Sequence, residues 1–216
     1  MPRGRSASYD DQRQMILQRA AALFAKRGYP STSMNQVAEA CGLSKASLYH
    51  YYRDKYSLLV SIADEHVSRL AALVDEEQAL ALHGEARLRH LIHRIVAEYA
   101  DAQDAHRVLT EDVKFLEAAD RERVLGKERR VVNGFALAVA EMRADRPSKH
   151  LSKPLTMLLF GMINWMFTWM KPDGELDHAA MGPIVADLFL GGISNVELPS
   201  AAPSGARPDL SFIVDI

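Results

Sequence analysis

The most suggestive chemistry in this 216-residue sequence is one short run, Ser44-Lys45-Ala46-Ser47-Leu48-Tyr49-His50-Tyr51-Tyr52. At helical spacing Leu48 and Tyr52 are four residues apart and share a face that can lie on a hydrophobic support. Lys45, Ala46, Ser47, Tyr49 and His50 then turn outward. The small residues come first, where close approach to base edges in a major groove needs little bulk, and tyrosine hydroxyl and lysine ammonium groups suit phosphate oxygens. Tyr49, Tyr51 and Tyr52 would equally make an ordinary aromatic core patch, so the reading depends on the elements around them.

Those elements follow from periodicity and capping. Ile16, Leu17, Ala20, Leu23 and Phe24 form one stripe of a helix over residues 10–27, which Gly28 stops. Ser33-Met34-Asn35-Gln36 has the capping-box pattern that opens a short helix over 34–40. Cys41-Gly42-Leu43 turns the chain, Ser44 caps a helix over 45–52, and Asp54 caps a long fourth helix to about residue 82. Two helices of about seven residues joined through a glycine turn have the dimensions of a helix-turn-helix, whose second helix enters the groove while the first braces it.

Charge supports an anionic partner for this head. The chain carries 26 Lys and Arg against 28 Asp and Glu, a net of −2 that would argue against nucleic acid. Residues 1–60 hold 9 Lys/Arg against 4 Asp/Glu, a net of +5, and the remaining 156 hold 17 against 24, a net of −7. A basic head on an acidic body is the asymmetry expected of a head that meets an anionic surface. Arg3 and Arg5 suit a minor-groove arm, though an exposed terminus explains them equally well.

On Gly28-Tyr29, Thr32-Ser33-Met34, Val37-Ala38, residues 41–45, residues 48–52 and Lys55-Tyr56-Ser57-Leu58-Leu59, the sequence resembles the N-terminal signature of the TetR family of transcriptional repressors. The match spans about 50 residues without a gap. The resemblance implies an all-α homodimer with an N-terminal three-helix DNA-binding domain and a larger C-terminal domain that binds a small effector and dimerises. It puts Lys45 and Ser47 at base edges or in the groove beside Ala46, Tyr49 and His50 on phosphates or bases, and Lys55 on a phosphate. Ser33 becomes a cap whose helix end can face a phosphate. Tyr52 departs from the family, which often has Phe there.

Beyond the head, helices are expected over 85–103, 105–117, 120–144, 152–170 and 177–193, punctuated by Pro147 and by residues 171–174. The domains read as 1–55 for DNA, 56–195 for effector and dimerisation, and 196–216 as a Pro/Ala/Ser-rich tail that packs, if anywhere, at residues 210–216. The helix over 152–170 is apolar on almost every side, so it must be covered twice, by its own core and by a partner. With Met181, Ile184, Val185, Leu188, Phe189 and Ile193 on the next helix, two copies can form a four-helix bundle.

Candidate wall residues of an effector pocket are Tyr99, Phe115, Val131, Val132, Phe135, Val139, Met142, Met162, Trp165, Met166 and Trp169; each would serve equally as plain core. Residues 159–165, Trp169, residues 172–174 and residues 190–193 resemble a branch of the family that answers to acyl-CoA thioesters, including regulators of fatty-acid, steroid-ring and phenylacetate degradation. That resemblance implies a CoA ester, with phenylacetyl-CoA and fatty acyl-CoAs as candidates. Arg121, Arg123, Lys127, Arg129 and Arg130 suit CoA phosphates, but interspersed Glu122 and Glu128 make a solvated mixed-charge face the commoner meaning. The alternatives are a multidrug-type repressor with a promiscuous aromatic pocket for free hydrophobic ligands, and a structural DNA binder without a ligand.

Other classes find little support. A lone cysteine, Cys41, excludes a disulfide scaffold. No nucleophile elbow, phosphate loop or paired carboxylates suggest an enzyme, and no cofactor is expected. His83, His90 and His93 lack a carboxylate or thiol partner for metal and are expected to be surface histidines. The polar start MPRGRSASYDDQRQ lacks the pattern of a signal peptide, and the longest apolar run, residues 155–170, is shorter than the roughly 20 residues that cross a bilayer, so a cytoplasmic location is expected.

Overall fold

In the computed structural model residues 7–144, 149–170 and 175–197 are described. Arg3, Arg5, Pro147, the expected turn at 171–174 and tail residues 198–216, with the apolar run 210–216, lie outside the described residues. The described residues form α1 (Ala7–Arg27), α2 (Met34–Ala40), α3 (Lys45–Tyr51), α4 (Lys55–Gln78), α5 (Gly84–Asp101), α6 (Gln103–Asp112), a 3₁₀ turn (Val113–Phe115), α7 (Ala118–Met142), a second 3₁₀ turn (Lys149–Leu151), α8 (Ser152–Asn164), α9 (Met166–Trp169) and α10 (His178–Ile193). The described residues are all-α, as the periodicity predicts.

It divides into two compact units: residues 1–72 with 98–127, and residues 73–97 with 128–216. The first unit is built on the α1 stripe. Ile16, Leu17, Ala20 and Phe24 are buried against Val37 and Ala38 of α2, Leu48 of α3, Leu58, Leu59 and Ile62 of α4, Val108 and Leu109 of α6, and Val124 of α7. Each such aliphatic side chain contributes about 1.5–3 kcal/mol by leaving water. Gly42 makes the turn between α2 and α3 at φ +64°, a left-handed conformation that a side chain would strain.

The second unit buries Leu88, Leu91, Ile92 and Ile95 of α5, Phe135, Ala138 and Val139 of α7, Leu155, Leu159 and Ile163 of α8, and Val185, Ala186 and Phe189 of α10. Phe135 meets Phe160 edge to face, with ring centroids 5.0 Å apart. A Cβ on Gly134 would lie 2.2 Å from Cγ1 of Val74, so glycine is what lets α7 approach the end of α4. Two polar devices sit in this apolar surround. Arg87 donates from Nε to Glu77 at 3.0 Å and pairs with Glu141, and Arg143 closes the C-terminal end of α10 by donating to the carbonyls of Ile193 and Val196.

Three expected helices are shortened, each by a local hydrogen bond. The helix predicted to reach residue 170 ends at Asn164, where the Trp165 N–H turns back to the Ile163 carbonyl, and the chain restarts as α9, whose Thr168 hydroxyl and amide both bond to the Trp165 carbonyl (2.7 and 3.1 Å). The fourth helix stops at Gln78 rather than 82 as i→i−3 bonds from Ala79 and Leu80 tighten it and Ala81 turns to φ +51°. The helix expected over 105–117 gives way at Val113 to a 3₁₀ turn closed by Leu116 N–H on the Val113 carbonyl.

Candidate nucleic-acid interface

Local chemistry fixes α3. The Ser44 hydroxyl accepts the Ser47 N–H at 3.1 Å, which starts the helix, and Leu48 is wholly buried, which sets its rotation. Lys45, Ala46, Ser47, Tyr49 and His50 are consequently all exposed on the opposite side. The Lys45 ammonium stands 5.9 Å from the Tyr49 ring centroid, and the Ser47 hydroxyl lies 2.8 Å from that of Ser44. This is a cationic, hydroxyl-bearing ridge with small side chains at its leading end, able to donate to phosphates and reach base edges. Tyr51 is drawn out of it by stacking on Tyr9 of α1 at 4.9 Å.

The flanking caps have the expected form. Ser33 accepts the Gln36 N–H while the Gln36 side chain accepts the Ser33 N–H at 2.8 Å, the reciprocal bonding of a capping box. Asp54 accepts the Ser57 N–H at 2.7 Å, a bond that holds its carboxyl below the usual carboxylate range. Tyr52 is buried with its hydroxyl unpaired, and the Arg13 guanidinium stands 5.5 Å from its ring centroid; burial pushes the phenol up.

Lys55 is more engaged than its sequence position suggests. Its ammonium donates to the carbonyls of Tyr29 (2.8 Å) and Pro30 (3.1 Å), which leaves one of three donors for a phosphate.

The expected effector residues divide between the two units. Tyr99 lies in the first unit, stacked on His106 at 3.7 Å, and Phe115 lies there against Tyr29. Phe135, Val139 and Met166 are buried in the second unit, Val132 and Met162 half-buried, and Trp165 and Trp169 are 61% and 55% exposed. A cleft of about 650 Å³ opens within the first unit, lined by Gln14 and Gln18 of α1, Glu65 and Arg69 of α4 and residues 98 and 100–105, and none of the expected wall residues line it.

The basic run on α7 is a mixed-charge face: Arg123 pairs with Asp64 and Asp120, Lys127 with Asp64, and Arg130 with Asp75. His90 and His93 are half-buried rather than surface residues, because α5 turns them inward; one nitrogen of each, Nδ1 of His90 and Nε2 of His93, is enclosed without a hydrogen bond. Sequence reading gave Tyr29 no role beyond its place in the family signature and missed Arg87 and Arg143. Of these two only Arg87 carried a signal, sitting four residues before Leu91 on the apolar stripe of α5.

Comparison with known proteins agrees with this arrangement. Residues 16–62 match the family model described as "Bacterial regulatory proteins, tetR family", and residues 81–193 match one described as "Tetracyclin repressor-like, C-terminal domain". The chain is 28% identical over 187 residues to the HTH-type transcriptional repressor KstR2 of Rhodococcus jostii, covering 85% of this chain and 92% of that protein. A TetR-family transcriptional regulator from Bordetella parapertussis shares the fold with a TM-score of 0.78 at 32% identity, over 87% of this chain and 98% of that one. AibR, solved in complex with isovaleryl coenzyme A and operator DNA, matches in fold with a TM-score of 0.69 at 24% identity, over 83% of this chain and 96% of its own. Among the described residues no helix is long and apolar enough to cross a membrane.

Proposed function

The chain belongs to the TetR family of bacterial transcriptional regulators, and on that premise we propose that it is an operator-binding repressor released by an acyl-CoA thioester, with phenylacetyl-CoA and fatty acyl-CoAs as candidates. The observation that carries the DNA half is the outward set Lys45, Ala46, Ser47, Tyr49 and His50 on a helix whose rotation is locked by buried Leu48. Lys45 and Ser47, with Ala46 beside them, take base edges or the groove, Tyr49 and His50 take phosphates or bases, and the free donor of Lys55 and the capped end at Ser33 take backbone phosphates.

Two copies are needed to read one face of DNA, with α3 helices roughly 34 Å apart. The apolar side chains left exposed on α8, α9 and α10 (Leu158, Trp165, Trp169, Ile184 and Leu188) supply the surface for a homodimer through a four-helix bundle. The acyl-CoA half is supported by the isovaleryl coenzyme A bound to AibR, a protein of like fold. The ligand binds the state that does not fit the operator more tightly, and displacement of α4, which follows α3 directly, separates the heads. A coupling of about 1–3 kcal/mol lowers operator affinity roughly 5- to 150-fold.

A thermal-shift screen tests the effector. Isovaleryl-CoA, phenylacetyl-CoA and a fatty acyl-CoA series are expected to raise the melting temperature, and the matching free acids and cationic dyes are not. Stabilisation by dyes or free acids alone would point instead to a multidrug-type pocket.

A further inference from the structure

The approach to the DNA-reading helices is held by a stack of side chains from three separate elements of the first unit, and its centre is Tyr29. This residue lies in the short connection between α1 and α2, with Pro30, Ser31 and Thr32 between it and the Ser33 cap. From α1, Phe24 meets the Tyr29 ring edge-on at 5.3 Å. From α4, the Lys55 ammonium stands 4.4 Å from the ring centroid while donating to the Tyr29 and Pro30 carbonyls. From the 3₁₀ turn after α6, Phe115 tilts onto the ring at 5.5 Å, and Lys114 in turn stands 5.4 Å from the Phe115 ring centroid. The order is lysine, tyrosine, phenylalanine, lysine, with each ring offering its electron-rich face to a cation.

Phe115 has no packing need that explains this placement. It is 39% exposed, at the end of a three-residue turn, and contributes little to the first unit's core. Its neighbour Asp112 is buried, with the Tyr29 backbone N–H against a carboxyl that burial pushes up. Both residues that reach Tyr29 from this side therefore come from the junction that ends α6, a helix that also packs along α1.

We propose that Tyr29 is a positioning residue for the DNA-reading pair α2–α3, and that Phe115 is the contact through which the end of α6 sets that position. A shift at the end of α6 moves Phe115, loosens the Tyr29 connection that leads into the Ser33 cap, and releases α2–α3 from the orientation that α4 and α1 otherwise hold. The inference rests on α3 being the DNA-reading helix and gives that reading its route of control.

Hydrogen exchange on the full-length protein tests the joint without DNA or effector, and affinity for a duplex selected from random DNA tests its consequence. Phe115→Ala is expected to speed exchange of the 34–51 amides about 3- to 10-fold, the equilibrium weight of one aromatic pair. It should weaken duplex binding by a similar factor with an unchanged salt slope, since no phosphate contact is lost. Phe115→Tyr, which keeps the ring, restores both values; Phe115→Leu, which keeps bulk without a ring, does not. Unchanged exchange over 34–51 in Phe115→Ala and Phe115→Leu, or a rise spread evenly over α1 and α4, would overturn the joint. A wild-type protein that selects no duplex defeats the DNA reading, while the exchange data still decide the joint.

Discussion

The two units treat their surfaces in opposite ways. In the first, the apolar stripe of α1 is covered by α2, α3, α4 and α6, and what α3 presents to solvent is small, hydroxylated or cationic. In the second, Leu158, Trp165, Trp169, Ile184 and Leu188 remain exposed on helices whose other faces are already packed. Large apolar side chains grouped on neighbouring helices mark a surface made for association. On the proposed reading one unit is finished by a polyanion and the other by a second copy of itself, which gives the chain two unlike binding faces.

The largest effect should come from spoiling the apolar face. Leu188→Glu places a carboxylate on the exposed side of α10, where Leu188 is 67% exposed and has little to lose in the monomer's own core. The protein is expected to sediment as a monomer of unchanged helicity and to lose operator affinity by about 10²-fold, the advantage that linked half-site binding confers. A Leu188→Glu dimer that binds DNA normally would mean that the exposed apolar side chains serve something else.

A smaller effect distinguishes the units by pH. His66, fully buried in the first unit beside His106 and Arg69, is held neutral at a pKa of about 3, chiefly by burial and then by its electrostatic interactions with His106 and the Arg69 guanidinium. The unfolded chain protonates it near 6.5, so the first unit keeps its full stability above that pH and loses it as pH falls toward 3, by up to about 1.4 kcal/mol per pH unit. Glu128 in the second unit is pushed by burial to about 7. Its sign is opposite: the folded state is favoured below about 4.5, and that advantage is lost as pH rises through 7. Exchange protection at pH 5 and pH 7.5 should therefore fall on acidification around α4 and α6 of the first unit and rise around Glu128. Parallel changes in both places would show that the two groups are not separately buried.

Much of the first unit was legible because its signals are local. Ser33, Ser44 and Asp54 bond to residues three positions on, Gly42 turns where its spacing requires, and the four-residue interval from Leu48 to Tyr52 predicts the outward set of α3. The side chains that act across the fold were not. Tyr99 and Phe115 look like pocket lining in the sequence; Tyr99 stacks on His106 one helix further on, and Phe115 meets Tyr29, more than eighty residues earlier, a pairing no local pattern announces. Lys55 reads as a phosphate ligand, while two carbonyls more than twenty residues earlier take most of its donors. The break between α8 and α9 comes where the Trp165 N–H leaves the helical ladder for the Ile163 carbonyl, which an apolar pattern does not reveal.

The central claim is that α3 reads sequence, and selection from a random duplex library tests it most directly, run on the wild type and on Ser47→Ala. A two-fold related site with half-sites one helical turn apart is expected, with a changed base preference at one position per half-site when the Ser47 hydroxyl is removed. An identical motif from both proteins would contradict the role given to Ser47, and the absence of any selected sequence would contradict the claim for α3 as a whole.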